Sequence, residues 1–186
     1  MFRELPTRSV PATTEMSHGE KLYSEKDGAG EPPYPLLYSC EQGDAQRAKE
    51  LLGKGADINL RSPEGWSPLI MAAKEGHVEL LSELLAAGAT PNPPDVSHTP
   101  IRGAAIFGRL ACVEALLAAD ANPNALSAGG KTALMGAAMN GHADVVKLLL
   151  SKAARPELKN DFGETAEALA TAKGHAACAE VLRGSS

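Results

Sequence analysis

The sequence predicts an all-α solenoid of about five helix-turn-helix units, preceded by a disordered N-terminal arm. Three observations carry that reading. A glycine that ends an apolar helix recurs at Gly43, Gly76, Gly108, Gly141 and Gly174, at spacings of 33, 32, 33 and 33 residues. Apolar pairs keep the same step, at Leu51-Leu52, Leu84-Leu85, Leu116-Leu117, Leu149-Leu150 and Val181-Leu182. The unit starts do so too, at Tyr34, Ser67, Thr99, Thr132 and Thr165. Fixed self-similarity of this length marks a repeat architecture, in which each unit buries its apolar face only against its neighbours.

The elements follow in chain order. Residues 1–33 hold Pro6, Pro11, Pro32, Pro33 and the run Asp27-Gly28-Ala29-Gly30, with no sustained apolar periodicity. Such a segment buries too little surface to offset its ordering entropy, so a disordered or extended arm is expected. Its four basic residues stand against six acidic ones, so it is not a charge tail. It lacks a secretory apolar stretch, although Arg3, Arg8 and several Ser/Thr keep an organelle transit peptide open as an alternative. The repeat domain is expected over 34–186, with units near 34–62, 63–95, 96–128, 129–160 and 161–186. The first unit has Pro32-Pro33-Tyr34-Pro35 in place of an entering turn and is read as an N-terminal cap. The second shows the plan of one unit most clearly. Ser67-Pro68 opens a helix with a capping residue and a proline in its first turn. Leu69, Ala72 and Ala73 give that helix an apolar stripe. Gly76 stops it, and His77 begins a second helix with Val78, Leu81, Leu84 and Leu85 on one face. Gly88 closes the second helix, and the polar, proline-rich stretch from Ala89 to His98 projects as a turn. The third unit is one residue short, around Pro93-Pro94-Asp95. The fourth contains Gly129-Gly130-Lys131-Thr132, which ends like a phosphate-binding loop. Ala125 stands where that loop requires glycine and no strand precedes it, so the repeat explains these residues better. The fifth ends in Arg183-Gly184-Ser185-Ser186 and is read as a C-terminal cap.

Composition agrees. Aromatic residues make up 4% of the 186, so alanine and leucine must fill most of the interior of closely packed helices. The net charge of −5, with no Lys/Arg run, argues against nucleic acid as a partner. No apolar run reaches the roughly 18 residues of a membrane span. Three scattered cysteines, Cys40, Cys112 and Cys178, do not make a disulfide framework and favour a reducing compartment.

At this point the chain closely resembles the ankyrin-repeat family. The second unit reads Gly65-Trp66-Ser67-Pro68-Leu69-Ile70-Met71-Ala72-Ala73-Lys74-Glu75-Gly76-His77, and Gly55-Ala56-Asp57-Ile58-Asn59 supplies the closing motif, whose Asn recurs at Asn92 and Asn124. The resemblance covers about residues 34–183. One departure runs through every unit. The family histidine after the Thr-Pro-Leu motif is replaced by Leu37, Ile70, Arg102, Met135 and Ala168. The turns are therefore expected to be looser, or held by other groups. His77, His142 and His175 recur at one register position, which points to a structural role rather than catalysis or metal binding. Cys112 and Cys178 share another and read as small buried hydrophobes.

The resemblance implies a protein-protein interaction module, an adaptor, scaffold or inhibitor, that grips a partner protein across its concave face. On this sequence that face maps to Trp66, Ile70, Lys74, His98, Arg102, Phe107, Lys131, Met135 and Met139. An apolar centre of Trp66, Phe107, Met135 and Met139 is expected, rimmed by Lys74, Arg102 and Lys131. The alternative for Trp66 is packing against the prolines of a neighbouring turn. The alternative function is a permanent structural subunit of a larger assembly, anchored partly by the arm. No enzyme activity, cofactor, metal, nucleic acid or membrane span is expected, and the chain is expected to be a monomer on its own. A cytoplasmic location is expected, with the nucleus, or an organelle if the arm is a transit peptide, as alternatives.

Overall fold

The computed structural model describes residues 34–94 and 97–185. The expected arm over 1–33 and the gap at Asp95 lie outside them. Among the described residues the structure is helical, in five pairs. These are α1 (Pro35–Gln42) with α2 (Ala45–Gly53), α3 (Pro68–Glu75) with α4 (Val78–Ala86), and α5 (Pro100–Ile106) with α6 (Leu110–Ala118). The last two are α7 (Ala133–Met139) with α8 (Ala143–Ser151), and α9 (Ala166–Ala172) with α10 (Ala176–Arg183).

The start of each first helix is written in its own residues. The hydroxyls of Ser67, Thr99, Thr132 and Thr165 accept from the backbone N–H groups of Ile70, Arg102, Met135 and Ala168. Each thereby satisfies one of the orphan donors of a helix N-terminus. Tyr34 cannot do this, and α1 starts on Pro35 without a side-chain cap. Between paired helices the chain makes a tight link. Gly43, Gly76, Gly108, Gly141 and Gly174 are left-handed, and the residue after each has φ near −80° and ψ near +75°. The N–H two residues past the glycine then bonds the glycine carbonyl, as in Val78 N–H to Gly76 O at 3.0 Å. That is an inverse γ-turn, and it turns the second helix back along the first.

Asp44 caps its own helix through Arg47 N–H, but in the other four turns this residue leaves its helix without a side-chain cap, and three of them hydrogen-bond to the preceding unit. His77 Nε2 donates to the Glu41 carbonyl at 3.0 Å, and His142 Nε2 donates to the Ile106 carbonyl at 2.9 Å. Arg109 stands at this register position in the third unit and does the same work, donating from Nε to the Lys74 carbonyl at 3.1 Å. The rings lie directly on the preceding glycine. A β-carbon on Gly108, already at φ +65°, would fall 2.5 Å from His142 Nδ1.

Successive first helices pack side by side, and successive second helices approach one another less closely. Alanines make the close approach possible: Ala72, Ala73, Ala104, Ala105, Ala137, Ala138 and Ala170 are fully buried. Leu81, Leu84, Val113, Leu116, Val146, Leu149 and Leu182 fill the layer between first and second helices, together with Cys112 and Cys178. Cys112 and Cys178 are buried thiols, as expected of small hydrophobes, and Cys40 is buried too.

The turns are held, not loose. The side chain of Asn92 accepts from Asn122 N–H at 2.7 Å and donates to the Asp120 carbonyl at 2.8 Å. Asn124 repeats this with Arg155 N–H and the Ala153 carbonyl, at 2.8 and 3.0 Å. Asn59 bonds Thr90 N–H at 2.9 Å in the same way. Each asparagine ties the end of its unit to the end of the next. The segment that resembles a phosphate-binding loop is one of the projecting turns, closed by Ser127 N–H to the Lys131 carbonyl at 2.9 Å.

Candidate functional site: the face of the first helices

A simple register governs this face. The third residue after each Ser/Thr cap, and the seventh, lie over the fourth residue of the next unit. Ile70 and Lys74 thus face Gly103, where an added β-carbon would lie 3.8 Å from Ile70 Cγ2 and 3.9 Å from Lys74 Cβ. Arg102 and Ile106 face Gly136, where it would lie 3.7 Å from Arg102 Cγ and 2.9 Å from Ile106 Cγ1.

Trp66 stacks flat on His98, with ring centroids 4.0 Å apart and planes 8° from parallel. Lys74 Nζ sits 6.0 Å from the Trp66 ring and 5.6 Å from the Phe107 ring, and pairs with Glu75 Oε1 at 2.6 Å. A lysine between two aromatic faces is held by the ring quadrupoles as well as by its carboxylate. Glu41, one unit back, belongs to the same cluster. Burial raises its carboxyl above the usual range, Lys74 opposes that, and Glu75 adds to it. Its Oε2 is buried without a hydrogen-bond partner. Burial likewise lowers the Arg102 guanidinium, and Arg102 Nε is buried without an acceptor. Phe107 is 46% exposed and offers a large apolar surface beside this cluster.

The expected contact residues therefore divide. Trp66, His98, Arg102, Lys131 and Met139 are partly exposed, and Phe107 is exposed. Ile70 and Met135 are corrections: at 0% and 2% exposure they lie inside the stack. Short of a rearrangement they shape the surface from beneath and touch no partner. Lys74 is also corrected, from rim to centre, because its stem lies over Gly103 and its ammonium is enclosed by two rings and Glu75. Trp66 is held by its stack on His98. Sequence reasoning missed Glu41, which follows from the register above. It also missed Phe162, which is 78% exposed in the last projecting turn. On the opposite face, Ala45, Ala48 and Leu52 of α2 and Leu80, Leu84 and Ala86 of α4 line an open apolar groove.

A family model described as ankyrin repeats (3 copies) matches residues 36–127 and 101–186. The chain belongs to the ankyrin-repeat family. Repeats of this family are protein-protein interaction modules. Its relatives are varied. The chain is 36% identical over 104 residues to the ankyrin repeat protein nuc-2 of Neurospora crassa, covering 54% of this chain and 9% of that protein. It is 38% identical over 75 residues to the human mitochondrial disaggregase, covering 40% of this chain and 10% of that protein. It is 35% identical over 90 residues to the mouse 2-5A-dependent ribonuclease, covering 48% of this chain and 12% of that protein. The chain thus spans about a tenth of the length of each relative, and the shared part is repeat sequence.

Proposed function

We propose that this chain is a binding module whose partner protein docks on the face of the first helices, across units two to four. The single observation that supports this most is Phe107. A phenylalanine 46% exposed, with Lys74 between it and a partly exposed tryptophan, is costly to leave in water. Aromatic anchors of this kind, ringed by polar groups, dominate binding energy at interfaces. The surface has Trp66, Phe107 and Met139 as its apolar parts, with Arg102, Lys131 and His98 beside them.

The free adaptor or inhibitor is preferred to the permanent subunit, because the apolar area is confined to a few residues. Obligate interfaces are larger and more hydrophobic. The test is capture from an extract of source cells with the wild-type chain and with a Trp66→Ala/Phe107→Ala/Met139→Ala variant, its helicity checked by circular dichroism. A partner lost only with the variant supports the reading. A partner retained by the variant refutes it and directs attention to the groove between α2 and α4. Gel filtration of the native extract separates the adaptor, a small species, from the subunit, a large one.

A further inference from the structure

Charge is zoned along this face. The acids Glu41 and Glu75 stand in the first two units, gathered around Lys74. The first helices of units three and four, with the residue preceding each cap, run from His98 to Ile106 and from Lys131 to Met139. They contain Arg102 and Lys131 and no acid. Asp161 lies over Gly130, the residue before Lys131, with Oδ1 2.5 Å from where a β-carbon on that glycine would be. Arg102 has no acid on α5 or on α7, the helix its stem crosses. Gly136 lets that stem lie close, 3.7 Å from the missing β-carbon, and so holds the guanidinium at the seam between the two units. There Nε is shut off from water and meets no acceptor. A desolvated N–H on a permanent cation, whose stem shares the Gly136 notch with apolar Ile106, is an unfinished ion pair. Arginine's planar fork matches carboxylate and phosphate bidentately, and the carboxylate of Asp or Glu is the form that any protein partner carries.

We infer that the partner is a protein segment that places an Asp or Glu carboxylate on Arg102, at the seam of units three and four. An apolar side chain next to it rests on Phe107. The carboxylate takes Nε–H with one oxygen and a terminal N–H with the other, after a small rotation of the guanidinium. This rests on the proposal that the partner docks on this face.

The probe is a random twelve-residue peptide library displayed on phage and selected against the full chain. The expected result is a set of peptides sharing one Asp or Glu beside an apolar residue. Changing that acid to Asn or Gln weakens binding to the wild type about tenfold or more, since one partner of a desolvated charge pair is lost. With Arg102→Gln the same peptide change has little further effect. Arg102→Lys, which keeps the charge but not the fork, restores only part of the affinity. A selection that returns peptides without a shared acid, or no binder at all, overturns the inference. So does an acid whose effect is unchanged in Arg102→Gln. Phe107→Ala run in parallel separates the two levels. Binders that ignore both variants overturn the docking face itself. Binders that need Phe107 but no acid overturn only the role of Arg102.

Discussion

Gly103 and Gly136 occupy the same register position in two neighbouring helices, and replacing each by alanine should move stability in opposite directions. A glycine inside a helix costs about 0.5–1 kcal/mol relative to alanine. At Gly103 the new methyl would meet Ile70 and Lys74 at 3.8–3.9 Å, which is ordinary contact. Gly103→Ala should therefore stabilise the stack by about that amount. At Gly136 the methyl would fall 2.9 Å from Ile106 Cγ1. That atom is one bond from a β-branched carbon whose χ1 is stiff in a helix, so the ring of contacts must shift instead. Overpacking of this kind costs about 1–3 kcal/mol, which outweighs the propensity gain and leaves a net loss of up to about 2 kcal/mol. In a domain of this size each kcal/mol moves Tm by roughly 2–4 °C. Thermal and urea unfolding followed by circular dichroism would read both variants. The cost at Gly136 should disappear in an Ile106→Ala background, as a double-mutant cycle would show. Equal stabilisation by both alanines would refute the interlocking of each unit's seventh residue with the next unit's fourth.

Three further outcomes are expected. Asn124→Ala removes two side-chain bonds between units three and four, each worth about 0.5–1.5 kcal/mol, so amide exchange should quicken in α7 to α10 and much less in α1 to α4; uniform change along the chain would count against nearest-neighbour coupling. Burial pushes the Cys40 thiol up to about 12 from its ordinary 9.0. The folded state therefore holds this proton more tightly than the unfolded one, so the contribution is intact below pH 9.0 and is lost as pH rises through about 12. Urea midpoints should fall on that alkaline side less steeply for Cys40→Ala than for wild type, and identical slopes would sink the claim. In the wild type, α2 and α10 should exchange before α6, since among the described helices the first and last units have a neighbouring unit on one side only; protection through Arg183 equal to that of α6 would contradict this.

Much of the fold was legible because its determinants are local. Ser67, Thr99, Thr132 and Thr165 cap from within their own first turns, and the left-handed glycines stop helices where they stand. The candidate surface was legible only in part, because exposure there is decided by the neighbouring unit. Ile70, Arg102 and Met135 share one register position, yet only Arg102 reaches the surface: its chain is long enough to cross the Gly136 notch, whereas Ile70 and Met135 end beneath the next helix. Lys74 looked like a rim residue by charge, but two aromatic rings from different units enclose it. Arg109 was unremarked because it is not a histidine, although it bonds the preceding unit from the same turn as His77 and His142 do. The missing family histidine suggested loose turns, and the asparagines that hold them act across units 28 to 31 residues apart.

The most direct test of the binding face is site-specific photocrosslinking in source cells, with a photoreactive amino acid in place of Phe107 and, as control, in place of Lys147 on α8. The account predicts a discrete adduct with one partner at position 107 and none at 147. An adduct at 147 with none at 107 would contradict it and place the partner on the second helices.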